Sequence, residues 1–314
     1  MTAIRIVTDS SCDLPEELVA ELGIDVVPLK IRFGDEELVD GVDLTPAEFW
    51  ARCATSAVLP STAAPAPGAV EEVFRAAAAA GAPGVLCVML SSKLSATGES
   101  AQAAARAVAD LVPVRVVDSL SVTLGLGMIV VESARRAAAG AALDEVVALA
   151  EDMAARTKVF GSLDTLEYLK KGGRIGAAQA LLGSILSIKP VIEVVDGKVE
   201  PGPKQRTRAR ALRWLADQVA AVPGAENVAV LHGDAPDVEA LVALLAPHFP
   251  RERIVIGQLG AVVGAHTGPR TIGVAFQAPV GVAFQAPSGV AFQAPSGVAF
   301  QAPPPSAGEA GTVS

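Results

Sequence analysis

Residues 263–280 read VGAHTGPRTIGVAFQAPV. His266 is one of three histidines and stands between a Gly-Ala and a Thr-Gly-Pro. An imidazole on a Gly-bounded turn approaches a carboxylate closely and donates a hydrogen bond to it near neutral pH. A core histidine bonded to a neighbouring carbonyl gives the same pattern. Four more segments concentrate hydroxyls and turn formers: TDSSCDLP (8–15), PSTAAPAPG (60–68), LSSKLSATGES (90–100) and VDSLSVTLGLG (117–127). Ser, Thr and free amides at a helix start make an anion site, and plain N-capping asks for the same residues. Four such loops together point to a shared anion site. None contains GxxxxGKS/T or GxGxxG, so a triphosphate or dinucleotide cradle is not supported. His232 reads as a loop cap at a strand end and His248 as a surface residue.

These loops need a scaffold that gathers them. Short β-rich runs alternate with longer helical ones, the pattern of an α/β fold with mainly parallel sheets. Strands are expected at 3–8, 24–31, 84–90 and 113–119, with helices at 67–80, 95–110, 122–139 and 143–156. Asp13-Leu-Pro-Glu16 and Thr45-Pro-Ala-Glu48 both fit capping boxes with an early Pro. In such sheets ligands bind at the carboxyl ends of strands. After Arg156 the pattern changes to a strand, a helix and the Gly-rich exit KKGGRIG. Asp196-Gly197 between apolar runs predicts a type I′ hairpin. A basic helix follows over 204–220, then the strand-bearing segment ENVAVLHGDAP (226–236), a helix at 236–247, RIVIGQLG (253–260) and a closing strand from Gly273. Two α/β domains are therefore expected, 1–155 and 156–279. Over 280–314 the unit GVAFQAP recurs, too rich in Pro and Gly to form a core, and reads as a disordered tail.

Composition narrows the chemistry. The net charge is −9, which argues against a nucleic-acid partner. Half the residues are hydrophobic and few are aromatic, so the core is built from Ala, Val and Leu. No apolar stretch is long enough to span a membrane, and MTAIRIVTDSS lacks the h-region of a signal peptide. Cys12, Cys53 and Cys87 form no CxxC pair and read as reduced cytoplasmic thiols rather than zinc ligands. No cofactor or metal is implied. A hydrolase triad would need a GxSxG elbow, which is missing. The alternative is a self-contained small-molecule kinase of the dihydroxyacetone kinase-like class, with Asp9, Asp13 and Asp118 as metal-binding carboxylates. A helix cap explains Asp13 better, and a strand-end turn explains Asp118.

Seven ordered segments together resemble the DegV family: TDSSCDLP, STAAPAP, SSKLSATGESA, DSLSVTLGLG, LDTLEYLKKGGRIG, LSIKPVIEV-DGKVEP and GAHTGPRTIGVAF. The family includes the fatty acid-binding subunits of bacterial fatty acid kinase. The resemblance implies a cytoplasmic lipid carrier for phospholipid metabolism, itself not an enzyme. One long-chain fatty acid would lie with its carboxylate in the polar loops and its chain buried in the N-terminal domain. The C-terminal domain would close over the headgroup. A separate kinase subunit would phosphorylate the bound acid to an acyl phosphate, with only transient membrane contact. Carried over by position, the ligand-binding residues are Thr62 with Ser61 beside it, Ser95, the amide of Ala96, Arg174, His266 and Thr267. Arg206 matches an arginine used towards the kinase. The chain departs from the pattern at Ala96, where the family has Gly, and at Ala63-Ala64, where a Gln is usual.

Overall fold

The computed structural model describes residues 3–280, with backbone alone over 183–187. The repetitive segment of the tail beyond Val280, read above as disordered, lies outside the described residues. Thirteen strands and ten α-helices form among them. In the first half, chain order runs β1 (Arg5–Asp9), α1 (Glu16–Leu22), β2 (Asp25–Val27), β3 (Lys30–Phe33), β4 (Glu36–Val39) and α2 (Pro46–Thr55). Next come β5 (Ser61–Ala63), α3 (Pro67–Ala79), β6 (Val85–Met89), α4 (Thr97–Ala107), β7 (Val114–Asp118), α5 (Leu124–Ala138) and α6 (Leu143–Arg156).

β1, β2, β6 and β7 make an all-parallel sheet of order β2-β1-β6-β7. All five residues of β6 are buried, as a strand covered on both faces requires. Its alternate side chains feed two cores. Cys87 and Met89 meet Val70 and Phe74 of α3 and Ala101 and Ala104 of α4. Leu86 and Val88 meet Ile129 and Val130 of α5 and Val146 and Met153 of α6.

One strand was expected over 24–31; two form, in different sheets. Pro28 has no amide to donate and ends the ladder, so β2 stays beside β1 while β3 joins β4 and β5 in a small antiparallel sheet. The Thr45 capping box forms as predicted. The one at Asp13 does not: Pro15 occupies the cap position before α1 with no side-chain bond, and Asp13 takes a left-handed conformation, φ 50°.

The second half runs β8 (Thr157–Ser162), α7 (Glu167–Lys171), β9 (Val191–Val195), β10 (Lys198–Pro201), α8 (Arg208–Ala220) and β11 (Glu226–His232). It ends with α9 (Val238–Leu245), β12 (Val255–Gln258), α10 (Ala261–Thr267) and β13 (Ile272–Gln277). Six strands form a sheet of order β10-β9-β8-β13-β11-β12. Here the expectation of mainly parallel sheets fails, because only β11–β12 pair in parallel. Alternating strands and helices do not fix strand direction, and a two-residue turn can join only antiparallel strands. Asp196 and Gly197 make that turn, both at positive φ, as a type I′ hairpin demands.

One face of this sheet carries Phe160, Val230, Val274 and Phe276 against α8 and α9. The other carries Val159, Leu231 and Ala275 into a core shared with Leu29, Ile31, Phe49, Trp50 and Leu124 of the first half. Trp50 donates its indole N–H to the carbonyl of Leu259 across 209 residues of sequence, at 2.9 Å. No described helix is long and apolar enough to cross a membrane.

Candidate functional site

α10 is short because Gly268, φ 76°, stops it. It delivers His266 to the shared core, so His266 sits in a helix where the sequence suggested a turn. There its Nε2 lies 2.9 Å from the hydroxyl of Thr62 on β5. Its other nitrogen, Nδ1, is buried and has no hydrogen-bond partner. It faces Gly172, where an added Cβ would come within 2.2 Å of it.

Arg174 follows in the same Gly-rich exit from α7. Its Nε donates to the carbonyl of Leu94 at 3.0 Å and its Nη1 to that of Gly172 at 2.7 Å. These bonds tie the Gly-rich exit to the β6–α4 loop. In that loop Ser95 accepts the amide of Thr97 and exchanges a hydrogen bond with its hydroxyl at 2.8 Å. The Thr267 hydroxyl donates back to the Val263 carbonyl.

Thr62, Ser95, Arg174, His266 and Thr267 all line one cavity of about 840 Å³, its mouth included. Most of the remaining wall is apolar. Leu29, Leu90, Leu94 and Val122 come from the first half, and Val159, Leu163, Leu169, Ile192, Val194, Val199, Leu231 and Val263 from the second. A mostly apolar wall with a few polar groups on it suits an amphipathic ligand.

Two of the predicted ligand residues lie off this wall. Ser61 is exposed next to Thr62, on the opposite side of an alternating strand, and Ala96 is exposed at the start of α4. Thr123, within DSLSVTLGLG, and Thr271, within GAHTGPRTIGVAF, join the wall although the sequence singled out neither residue. Gly172 was legible only as half of a Gly-Gly pair. Arg206 is exposed. Its neighbour Arg208 is committed to Asp237 through two bonds of 2.7 and 2.9 Å.

Burial, reinforced by the charge of Arg174, pushes the His266 imidazole down to about 4. The ring is therefore neutral at pH 7 and has one N–H, while Arg174 supplies the positive charge. Unfolded, the same ring takes up a proton near 6.5. From pH 6.5 down to 4 the unfolded chain gains a proton that the folded chain refuses, so folding weakens as pH falls. The ligand-free chain should lose up to roughly 3 kcal/mol from this group over that window. Denaturant titrations of the wild type and His266→Gln at pH 7 and 4.5 check it, since the variant should lose markedly less.

The carboxylates offered for metal binding are engaged otherwise. Asp118 caps the turn after β7, accepting from the amide of Leu120 at 2.9 Å and that of Ser92 at 3.2 Å. Asp9 accepts the amide of Leu90, and Asp13 that of Gly260, each at 2.8 Å. Among the described residues no group of three His, Cys, Asp or Glu side chains is placed to hold a metal ion.

The DegV family profile matches residues 3–278, nearly all of the described chain. This chain belongs to the DegV family. A DegV domain-containing protein of Streptomyces coelicolor is 39% identical over 277 residues, covering 86% of this chain and 97% of that protein. Among solved structures, a DegV family protein from Thermus thermophilus described by its fatty acid binding shares 35% identity at a TM-score of 0.81. The match covers 88% of this chain and all of that one. DegV from Bacillus subtilis, described as a fatty acid binding protein, is 26% identical at a TM-score of 0.78, over 89% of this chain and all of its own. A stearic acid-binding protein from Eubacterium ventriosum is also 26% identical, at a TM-score of 0.77, over 87% of this DegV chain and 98% of its own.

Proposed function

We propose that this DegV protein binds one long-chain fatty acid and presents its carboxylate to a separate kinase subunit for conversion to an acyl phosphate. The observation that carries the reading is the cavity, whose mostly apolar wall bears Thr62, Ser95, Arg174, His266 and Thr267, with Thr123, Thr271 and Glu193 also on it. Its support is the fatty acid binding described for relatives of the same fold.

Burying about fifteen methylenes at ~0.8 kcal/mol each supplies on the order of 12 kcal/mol before ordering costs. The headgroup contacts orient the acid more than they tighten it, yet an unpaired carboxylate there would be costly. Residues 1–155 and 156–279 act as two lobes sharing the wall. Exposed Arg206 is the kinase contact, and its freedom beside the engaged Arg208 favours it over that neighbour. The protein itself performs no chemistry and works in the cytoplasm.

The test is mass analysis of the organic extract of the protein as purified, followed by titration with oleic acid. One long-chain acid per chain, with affinity reduced roughly 10- to 100-fold in Arg174→Ala, supports the reading. A chain that arrives empty and takes up no oleic acid ends it.

A further inference from the structure

The loop at 8–15 is the polar motif that the cavity leaves unused: none of its residues is on the wall. It instead brings together buried carboxylates. Asp9, Asp13 and Asp40, the last just after β4, are 0%, 7% and 5% exposed. The groups acting on Asp13 are Asp40, Asp9, the Thr123 hydroxyl and the Gly260 amide, and the nearby Cys12 thiol feels all three carboxylates. Among the described residues, no cation is among the groups acting on the trio. The groups acting on it include the Gly260 amide just before α10, the Ala261 amide at its start and Thr123 just before α5.

Each carboxylate holds a piece of the headgroup end. Asp9 accepts the amide of Leu90, where the segment leading to Ser95 begins. Asp40 lies against the Ala261 amide and the Ser10 hydroxyl. Asp13 Oδ1 accepts the Gly260 amide at the start of the helix that ends in His266 and Thr267. Asp13 Oδ2 and Thr123 Oγ1 are both buried and neither meets a hydrogen-bond partner, though the Thr123 side chain is close enough to act on the Asp13 carboxyl. Thr123 is held at φ 52°, a costly setting for a β-branched residue.

We infer that Asp13 is a positioning residue of the headgroup site, accepting the Gly260 amide with one oxygen and donating from the other to Thr123, so that the start of α10 is fixed. The headgroup part of this rests on the carrier reading above. Burial, with Asp40 and Asp9 beside it, pushes the Asp13 carboxyl up to about 8 and Asp40 up to about 6. At pH 7 Asp13 thus has the proton the bond requires, and Asp40 has lost its own.

Asn in place of Asp13 reproduces one acceptor and one donor without titrating; Ala reproduces neither. Two measurements decide the matter. The first uses the ligand-free chain. Between about pH 4 and 8 folded Asp13 keeps a proton that the unfolded chain loses, so stability falls as pH rises. Relative to Asp13→Asn, the wild-type folding constant should drop up to about tenfold per pH unit in that window and level off above it. The second is oleic acid affinity at pH 7. Asp13→Asn should stay within about twofold of wild type, while Asp13→Ala and Thr123→Val lose roughly tenfold with far-UV circular dichroism unchanged. Parallel pH profiles for wild type and Asp13→Asn overturn the hydrogen-bond assignment whatever the ligand does. An Asn variant as impaired as Ala overturns the positioning role, as does an unimpaired Ala variant. A wild type that binds no fatty acid removes the headgroup role together with the carrier reading, and the stability profiles still decide whether folded Asp13 keeps the proton it would donate.

Discussion

Replacing Gly172 by alanine is expected to cost roughly 10- to 100-fold in fatty acid affinity while the fold survives. The backbone does not object, since φ is −73° at Gly172 and any residue adopts that value. The obstacle is the imidazole. A new methyl would stand 2.2 Å from His266 Nδ1 and 2.8 Å from Cε1, with the Tyr168 carbonyl at 3.1 Å. Carbon and nitrogen cannot approach that closely, so the ring must swing away and give up the 2.9 Å contact with Thr62. His266 is then displaced on the cavity wall and the Thr62 hydroxyl loses its contact with the ring. Isothermal titration with oleic acid gives the affinity, and circular dichroism checks the fold. His266→Ala supplies the control: if the methyl acts through the ring, the double variant binds no worse than His266→Ala alone. Unchanged affinity in Gly172→Ala would remove His266 from the headgroup.

Gly273→Ala should show the largest loss of stability, about 3 kcal/mol or more. Gly273 is on the central strand β13, paired with Gly161 on one side and Leu231 on the other. A Cβ there would sit 2.2 Å from the carbonyl oxygen of Phe160 and 3.0 Å from Leu231 Cδ1. The oxygen belongs to the backbone of β8 and cannot rotate aside without opening the β8–β13 ladder. Behind it Phe160 and Phe276 stack with ring centres 6.1 Å apart, so the displacement reaches the α8 core as well. For a chain of this size the cost corresponds to roughly 6–12 °C in Tm. Scanning fluorimetry reads it directly, and a shift below about 2 °C would contradict the close strand approach.

These two glycines also mark the limit of what the chain discloses before it folds. β6 was legible because a strand buried on both faces must be apolar throughout, and the Thr45–Glu48 box and the Asp196–Gly197 turn because local geometry demands those residues. The resemblance to the DegV family led to Thr62, Ser95, Arg174, His266 and Thr267, and all five reach the same cavity. Contacts distant in sequence leave no local trace. Asp13 has the spacing of a helix cap, yet its carboxyl goes to Gly260, 247 residues away. α10 looked like a turn because it is seven residues long, rich in small residues and bounded by Gly260 and Gly268. The antiparallel course of the second sheet was equally hidden, since periodicity records which face a residue takes and not which way the strand runs.

β13 is the last described strand of the chain, yet it lies between β8 and β11 rather than at an edge. On the ribosome this imposes an order of events. Thr62 emerges 204 residues before the histidine it meets, an interval of roughly 10–40 s at ordinary rates of synthesis. Throughout that time Leu29, Leu90 and Leu94 belong to a wall with no opposite side. The six-stranded sheet cannot close, and the cavity does not exist, until Gln277 has been added. Filling the cavity is therefore an act of the completed polypeptide. A nascent chain stalled before Ile272 is left with its apolar surface bare and open to chaperones and aggregation.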